Sequence, residues 1–309
     1  MCFSSHSQST QFCFTCAYRS VTSSFSPAIS LQRRLVAVIK LFVPSKPSFG
    51  QMAWLVVSVS LIVIWVASFC KIFFRATSTS SAAAILDDGQ TPQKKNVMFV
   101  IAHPDDESMF FSPTINYLAS SACNLHILCF STGNADGMGS IRKDELHRAC
   151  AVLKVPLEQL KILDHPNLQD GFGQLWSHDL LTEIIKEEVT NHDIHTIITF
   201  DNYGVSGHCN HRDVHRGVLK FLQTNSGRNI KAWELVSLNI FRKYFGPVDI
   251  WLSILSAKQH PSKVFIINEQ PWKSFKAMAQ HLSQWVWFRK LFVSFSSYTY
   301  ANTLNRINP

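Results

Sequence analysis

The stretch His103-Pro104-Asp105-Asp106-Glu107 puts an imidazole and three carboxylates together directly after an apolar run. Histidine and aspartate are both zinc-ligand types, and three positions apart they converge from one tight turn, which Pro104 stiffens. The competing reading is a helix N-terminus whose acids complement the dipole. It accounts for the carboxylates but not for a His-Pro pair ahead of them. A second cluster, Gly204-Val-Ser-Gly-His-Cys-Asn-His211, follows another apolar run and Asp201. Its two glycines permit a tight loop. His208 and His211 open the next helical stretch, with His215 one turn further on. A lone histidine is more often a core or surface residue; two histidine-rich loops of this kind argue for one shared metal site.

Such loops need strands to hold them. Val97–Ala102, Leu125–Phe130, Leu160–Leu163 and Thr196–Phe200 are short apolar or β-branched runs, the pattern of strands buried on both faces. Helical stretches Ser112–Ala122, Ile141–Lys154 and His178–Thr190 lie between them, and Trp233–Leu238 and Val264–Ile267 add later strands. This alternation predicts an α/β fold: a Rossmann-like, mostly parallel sheet with helices on both faces, preceded by one transmembrane helix. Ligands of such sheets bind beyond the carboxyl ends of strands, where both histidine clusters fall.

The segments Ala102-His-Pro-Asp-Asp-Glu-Ser-Met-Phe-Phe111, Cys129-Phe-Ser-Thr-Gly-Asn134, Val205-Ser-Gly-His-Cys-Asn-His211 and Arg242-Lys-Tyr244 carry a resemblance. The chain resembles the LmbE-like zinc deacetylases, and most closely their eukaryotic branch, the de-N-acetylases of glycosylphosphatidylinositol-anchor synthesis. The likeness runs from about Val97 to the segment Trp287–Leu291. It implies Zn²⁺ held by His103, Asp106 and His211, with Fe²⁺ another ion suited to a two-histidine, one-aspartate set. It also implies Asp105 as the proton-transferring base and His208 as the group that stabilises the oxyanion. Many bacterial relatives carry an acid where this chain has Asn210, which bears on how His208 is oriented and protonated. The substrate implied is a glycophospholipid, N-acetylglucosaminyl-phosphatidylinositol, and the place is the cytosolic face of the endoplasmic reticulum membrane, reached by a single-pass chain. A deacetylase of a soluble N-acetylglucosaminide and a non-catalytic sugar- or lipid-binding protein are the alternatives; an intact Asp105 counts against the second. Protein partners are not indicated.

Two further residues are candidates for substrate binding. Arg142, in Gly139-Ser-Ile-Arg-Lys-Asp-Glu145, matches a family Gly-x-x-Arg-x-x-Glu pattern and would hold phosphate or sugar hydroxyls; the plainer reading is a helix-surface arginine. Asp170, before Gly171, would reach a sugar hydroxyl. Asp144, Glu145, His147 and His215 read as surface residues rather than ligands. Trp285, Trp287, Phe288, Leu291, Phe292 and Phe295 sit near helical spacing, as a core-packing helix or as one that dips into a membrane interface.

The chain's 29 Lys and Arg against 21 Asp and Glu give a formal charge of +8. No acid precedes Asp87, so much of the excess lies in a carboxylate-free leader rather than on a folded basic face. An acidic substrate or an anionic membrane accounts for it, and no nucleic acid is expected as a partner. Residues 1–51 read as a low-complexity leader: a transit peptide, an extension, or a stretch upstream of a start at Met52. Cys13-x-x-Cys16 has metal spacing but no second pair. Residues 52–75 read as a transmembrane anchor: the apolar run from Ala53 to Cys70 continues past Lys71 to Phe74, long enough to span a bilayer, and Lys71 and Arg75 close behind it favour a retained anchor over a cleaved signal. Residues 76–95 read as a linker and 96–309 as the catalytic domain. Scattered cysteines and the absence of any Asn-x-Ser/Thr sequon fit a domain in the cytosol.

Overall fold

The computed structural model describes residues 48–74, 85, 95–121, 123–171, 173–225, 229–260 and 262–308. Most of the leader, with Cys13 and Cys16, and nearly all of the linker, with Arg75, lie outside the described residues. Helix α1, Phe49–Phe74, contains 26 residues. At 1.5 Å per residue it is about 39 Å long, enough to cross a hydrocarbon core of ~30 Å. Among the described residues it is the one helix long and apolar enough for that.

The domain is built on a seven-stranded sheet in the order β3-β2-β1-β4-β5-β7-β6. Its strands are β1 (Asn96–Ile101), β2 (Asn124–Cys129), β3 (Leu160–Ile162), β4 (Thr196–Phe200), β5 (Lys231–Leu235), β6 (Lys263–Ile267) and β7 (Ala301–Arg306). The first five are mutually parallel, while β7 runs antiparallel to both β5 and β6. β7 is thus the one reversed strand, wedged between two that run the other way. Val97, Phe99, Val100, Ile101, Ile197, Ile198 and Phe200 are all fully buried. Their contiguous apolar runs are what a strand covered on both faces requires.

Helices α2 (Ser112–Ser120) and α3 (Gly139–Leu153) follow β1 and β2; α4 (His178–Asn191) and α5 (Cys209–Thr224) flank β4. The chain steps one way from β1 to β3, then back past β1 to β4 and β5. Right-handed crossovers therefore place the two helix pairs on opposite faces. The packing agrees: α4 lies against α5, and α2 and α3 against each other and α7 (Pro271–Met278). Ser177 caps α4 by accepting from Leu180 N, and proline stands in the first turn of α2, where no N–H is needed. Helices α6 (Asp249–Gln259) and α8 (Trp287–Phe295) complete the order.

Strand order reverses between β1 and β4. Adjacent crossovers leave in opposite directions there and open a crevice at the carboxyl ends of those two strands, the standard ligand position in open α/β sheets.

Candidate metal centre and active site

His103 lies two residues beyond β1, and His208 and His211 lie beyond β4, so the crevice brings both clusters together. One ring nitrogen from each of His103, His208 and His211 falls within 4.8 Å of the other two. Nε2 of His103 and Nε2 of His211 are buried and make no hydrogen bond of acceptable angle. Carboxylates approach both: Asp170 Oδ1 stands 3.1 Å from Nε2 of His103, and Asp106 Oδ1 3.1 Å from Nε2 of His211. Short N–O distances without hydrogen-bond geometry leave these buried nitrogens beside carboxylates and without a hydrogen bond. That is the donor arrangement of a divalent metal site, and these residues fit one.

Asp106 and His211 are each oriented by a second contact. Asp106 Oδ2 accepts the amide protons of Ala102 (3.1 Å) and His103 (2.9 Å), which leaves Oδ1 toward His211. Burial opposes ionisation of Asp106, but His211 and then His103 outweigh it and hold the carboxyl well below the usual range. His211 Nδ1 lies 3.1 Å from the Gly204 carbonyl, and its ring stacks on Phe200 at 4.0 Å between centroids. A proton on Nδ1 bonded to that carbonyl leaves Nε2 as the lone-pair donor. Gly204 has φ of +65°, and a Cβ there would stand 2.7 Å from the His211 Cβ, so the loop requires glycine.

The loop after β4 is strained and pinned. Val205 adopts φ of +66°, costly for a β-branched residue. Its N–H donates to Ser237 Oγ (2.8 Å) and its carbonyl accepts from the buried Lys243 Nζ (2.7 Å). Asp201 ties the same loop to Ser237 through both carboxylate oxygens.

Asp105 is also strained, with φ of +117°. Its amide donates to Glu107 Oε2 (3.0 Å), and the fully buried Glu107 in turn meets His281 Nε2 at 2.7 Å. Asp105 Oδ2 receives two guanidinium groups: Arg142 Nη2 at 3.4 Å and Arg289 Nη1 from α8. Arg142 is buried, not the helix-surface arginine of the plainer sequence reading. Its Nη1 donates to the Gly133 carbonyl (2.9 Å) and its Nη2 to the Pro104 carbonyl (2.7 Å), so it clamps two loops around the site. Arg142 Nη1 also comes within 3.6 Å of Asp170. Burial raises the Asp170 pKa, but the adjacent His103, and then Arg142, bring it below the ordinary value.

His208 is half-buried, and its pKa is lowered to about 4, first by burial and then by His211 and His103. Asn210 is fully buried and donates instead to the Gln174 carbonyl (3.1 Å). Position 210 thus places no carboxylate beside His208, and the charges that oppose the lowering of its pKa come from Asp106 and Asp170.

Two expectations need correction. Of the four residues read as surface positions, Asp144 is exposed and His147 half-buried, but Glu145 and His215 are buried. Glu145 accepts from Ser283 N and Oγ, both at 2.7 Å, and His215 Nδ1 lies 3.0 Å from the Phe200 carbonyl. His281 and Arg289 are missing from the sequence reading, and Glu107 is named there only as a dipole-complementing acid. Arg289 stood inside a noted segment, whereas nothing in the local pattern marks His281.

A family model described as PIG-L: GlcNAc-PI de-N-acetylase matches residues 98–222. A probable N-acetylglucosaminyl-phosphatidylinositol de-N-acetylase of Dictyostelium discoideum is 35% identical over 249 residues, covering 72% of this chain and 96% of the relative. The chain belongs to the GlcNAc-PI de-N-acetylase family. The Bos taurus N-acetylglucosaminyl-phosphatidylinositol de-N-acetylase is 36% identical over 211 residues, covering 67% of this chain and 82% of its own length. Among solved structures, the N,N'-diacetylchitobiose deacetylase from Pyrococcus horikoshii shares the fold, with TM-score 0.50 at 14% identity over 74% of this chain and 90% of that one. The segment matched by the GlcNAc-PI de-N-acetylase model contains both histidine clusters and Arg142. His281 and Arg289, which reach the same site from α8 and the loop before it, lie beyond it.

Proposed function

We propose that this chain hydrolyses the acetamide of N-acetylglucosaminyl-phosphatidylinositol, releasing acetate and freeing the glucosamine amine, an early step of glycosylphosphatidylinositol-anchor synthesis. The observation that carries the reading is the convergence of His103, Asp106, His208 and His211 beside the strained, buried Asp105. The relatives' names supply the substrate class.

His103, Asp106 and His211 are the proposed holders of Zn²⁺, with Fe²⁺ suited to the same donors. When bound, the ion would acidify a water and polarise the amide carbonyl. The chain's own groups do the rest. Asp105 takes the proton of the attacking water on its carboxylate and returns it to the departing glucosamine nitrogen. Its positive φ, held by Glu107, fixes where that carboxylate stands. His208 donates a ring N–H to the developing oxyanion, a role open to the imidazole whose pKa is lowered to about 4. Asp170 is the proposed contact for a sugar hydroxyl. Arg142 supports the substrate pocket through the loops it clamps, with its Nε still without a partner.

The proposed location is the endoplasmic reticulum membrane, with α1 as a single-pass anchor and the domain in the cytosol. Lys71 in the last turn of the helix, and Arg75 next after it in sequence, support that orientation for a chain that starts at Met52. Protease added to sealed microsomes should digest the domain without detergent, and protection would reverse the orientation. The activity is tested by incubating purified full-length protein with N-acetylglucosaminyl-phosphatidylinositol and measuring acetate. Acetate only from water-soluble N-acetylglucosaminides would move the substrate away from lipid, and none from either would leave a binding protein.

A further inference from the structure

Several exposed apolar side chains of this domain lie on elements that touch one another. α8 buries one face and exposes the other. Phe292 and Val293 are buried, whereas Trp287 is 72% exposed and Phe288 and Leu291 about half exposed. The one-turn helix Ile240–Lys243 and the residue after it present Phe241, 75% exposed, and Tyr244. α6 presents Trp251.

Contacts join these pieces to one another and to α1. At the carboxyl end of α1, Ile72 is buried with Ile250, Phe265 and Tyr300. Ser68 Oγ accepts from Trp251 Nε1 at 2.9 Å, and Phe69 meets Tyr300 edge-on. On α6, Asp249 receives Arg242 Nε (2.7 Å) and Nη2 (2.9 Å), which fixes the turn bearing Phe241. Tyr244 meets Phe292 of α8 edge-on, at 6.1 Å between centroids. Arg289, on that helix, reaches Asp105. The series therefore runs from the carboxyl end of α1, through α6, the Arg242 turn and α8, to the carboxylate that moves the proton.

We propose that Phe241, Tyr244, Trp251, Trp287, Phe288 and Leu291 form a docking surface for the lipid bilayer, which seats the mouth of the active site at the membrane interface. The inference rests on reading α1 as a membrane anchor. A bilayer is the occupant because the surface is continuous with the packed end of an apolar helix that leads into one. Its composition matches: tryptophan, phenylalanine and tyrosine concentrate at the headgroup level, and cations on long stems border it. Lys71 lies over the Trp251 ring at 5.7 Å and Lys290 over the Trp285 ring at 5.6 Å. α8 has the residue pattern of an interfacial helix, apolar outward with basic residues beside the stripe. A headgroup sugar held this way meets Asp105 without its acyl chains leaving the membrane.

The test uses full-length protein in vesicles of phosphatidylcholine and phosphatidylinositol doped with a phosphatidylcholine that carries a photoactivatable group near the acyl carbonyl. After illumination, mass spectrometry should find lipid adducts on residues 241–244 and 287–291 as well as on α1. Leu157, equally exposed but at the amino end of β3, should carry none. Adducts on α1 alone would overturn the docking surface and leave the anchor standing. Adducts on neither would overturn both. A Trp287→Asp/Leu291→Asp variant should lower the ratio of deacetylation on vesicle-borne to micelle-dispersed substrate roughly tenfold. An unchanged ratio would count against docking.

Discussion

Arg289 and Asp105 are paired, and the same carboxylate oxygen, Oδ2, is approached by Arg142. The two arginines differ in what else they hold. Arg142 is buried and bonds two main-chain carbonyls, whereas Arg289 is partly exposed on α8.

Their substitutions should therefore separate. Arg142→Gln leaves the Gly133 and Pro104 carbonyls short of donors and should cost about 2–4 kcal/mol of unfolding free energy. Arg289→Gln should change stability by less than ~1 kcal/mol, as expected of a partly exposed pair, yet lower kcat/KM about tenfold. Urea midpoints beside deacetylation rates check both. Equal stability losses would show that Arg289 is structural.

The adjacent aspartates should also part. Asp106→Asn weakens a proposed metal ligand, so bound metal and activity should fall together. Asp105→Asn should keep metal near one per chain while turnover drops by about 10²–10⁴-fold, the usual worth of a general base. Emission spectroscopy for metal, run with the rate assay, reads both. Metal lost from Asp105→Asn and retained in Asp106→Asn would exchange the roles.

Gly133 has φ of +68°, and a Cβ there would stand 2.3 Å from Arg142 Nη1. Gly133→Ala should thus cost about 2–4 kcal/mol through backbone strain and displacement of the clamp. A urea midpoint within experimental error of the wild type would mean the loop and Arg142 adjust freely.

His126, buried on β2 beside His192, has its pKa lowered to about 4, first by burial and then by the charge of His192. The unfolded chain titrates near 6.5. Because the folded value is depressed, this contribution is complete above pH ~6.5 and is lost as pH falls from there toward 4. Solvent screening limits it to about 1–2 kcal/mol. His126→Gln should therefore lose that much less stability than wild type between pH 7 and 4 in denaturant titrations. Identical losses would remove His126 as a source.

Much of the fold is legible locally. Val97–Ile101 and Thr196–Phe200 read as strands because burial on both faces demands uninterrupted apolar runs, and the helices between them set the parallel crossovers. β7 escaped, since Ala-Asn-Thr-Leu-Asn-Arg has neither alternation nor an apolar run. Its place comes from pairing with β5 and β6 and from Asn302, whose Oδ1 accepts from Thr114 Oγ1 (2.7 Å) and whose Nδ2 donates to the Phe110 carbonyl (2.9 Å).

The sequence by itself determined the donor types and their position at two strand ends, because a strand and the loop after it are contiguous in the chain. Only the tertiary structure decided that β1 and β4 are neighbours, that Asp106 turns Oδ1 rather than Oδ2 toward His211, and that Arg142 is a buried clamp. It also decided that His281 supports Glu107, and that α8 carries Arg289 to Asp105 while leaving Trp287 outside. Buried charges must find partners, and those partners are chosen by packing among residues far apart in the chain, where no local period records them.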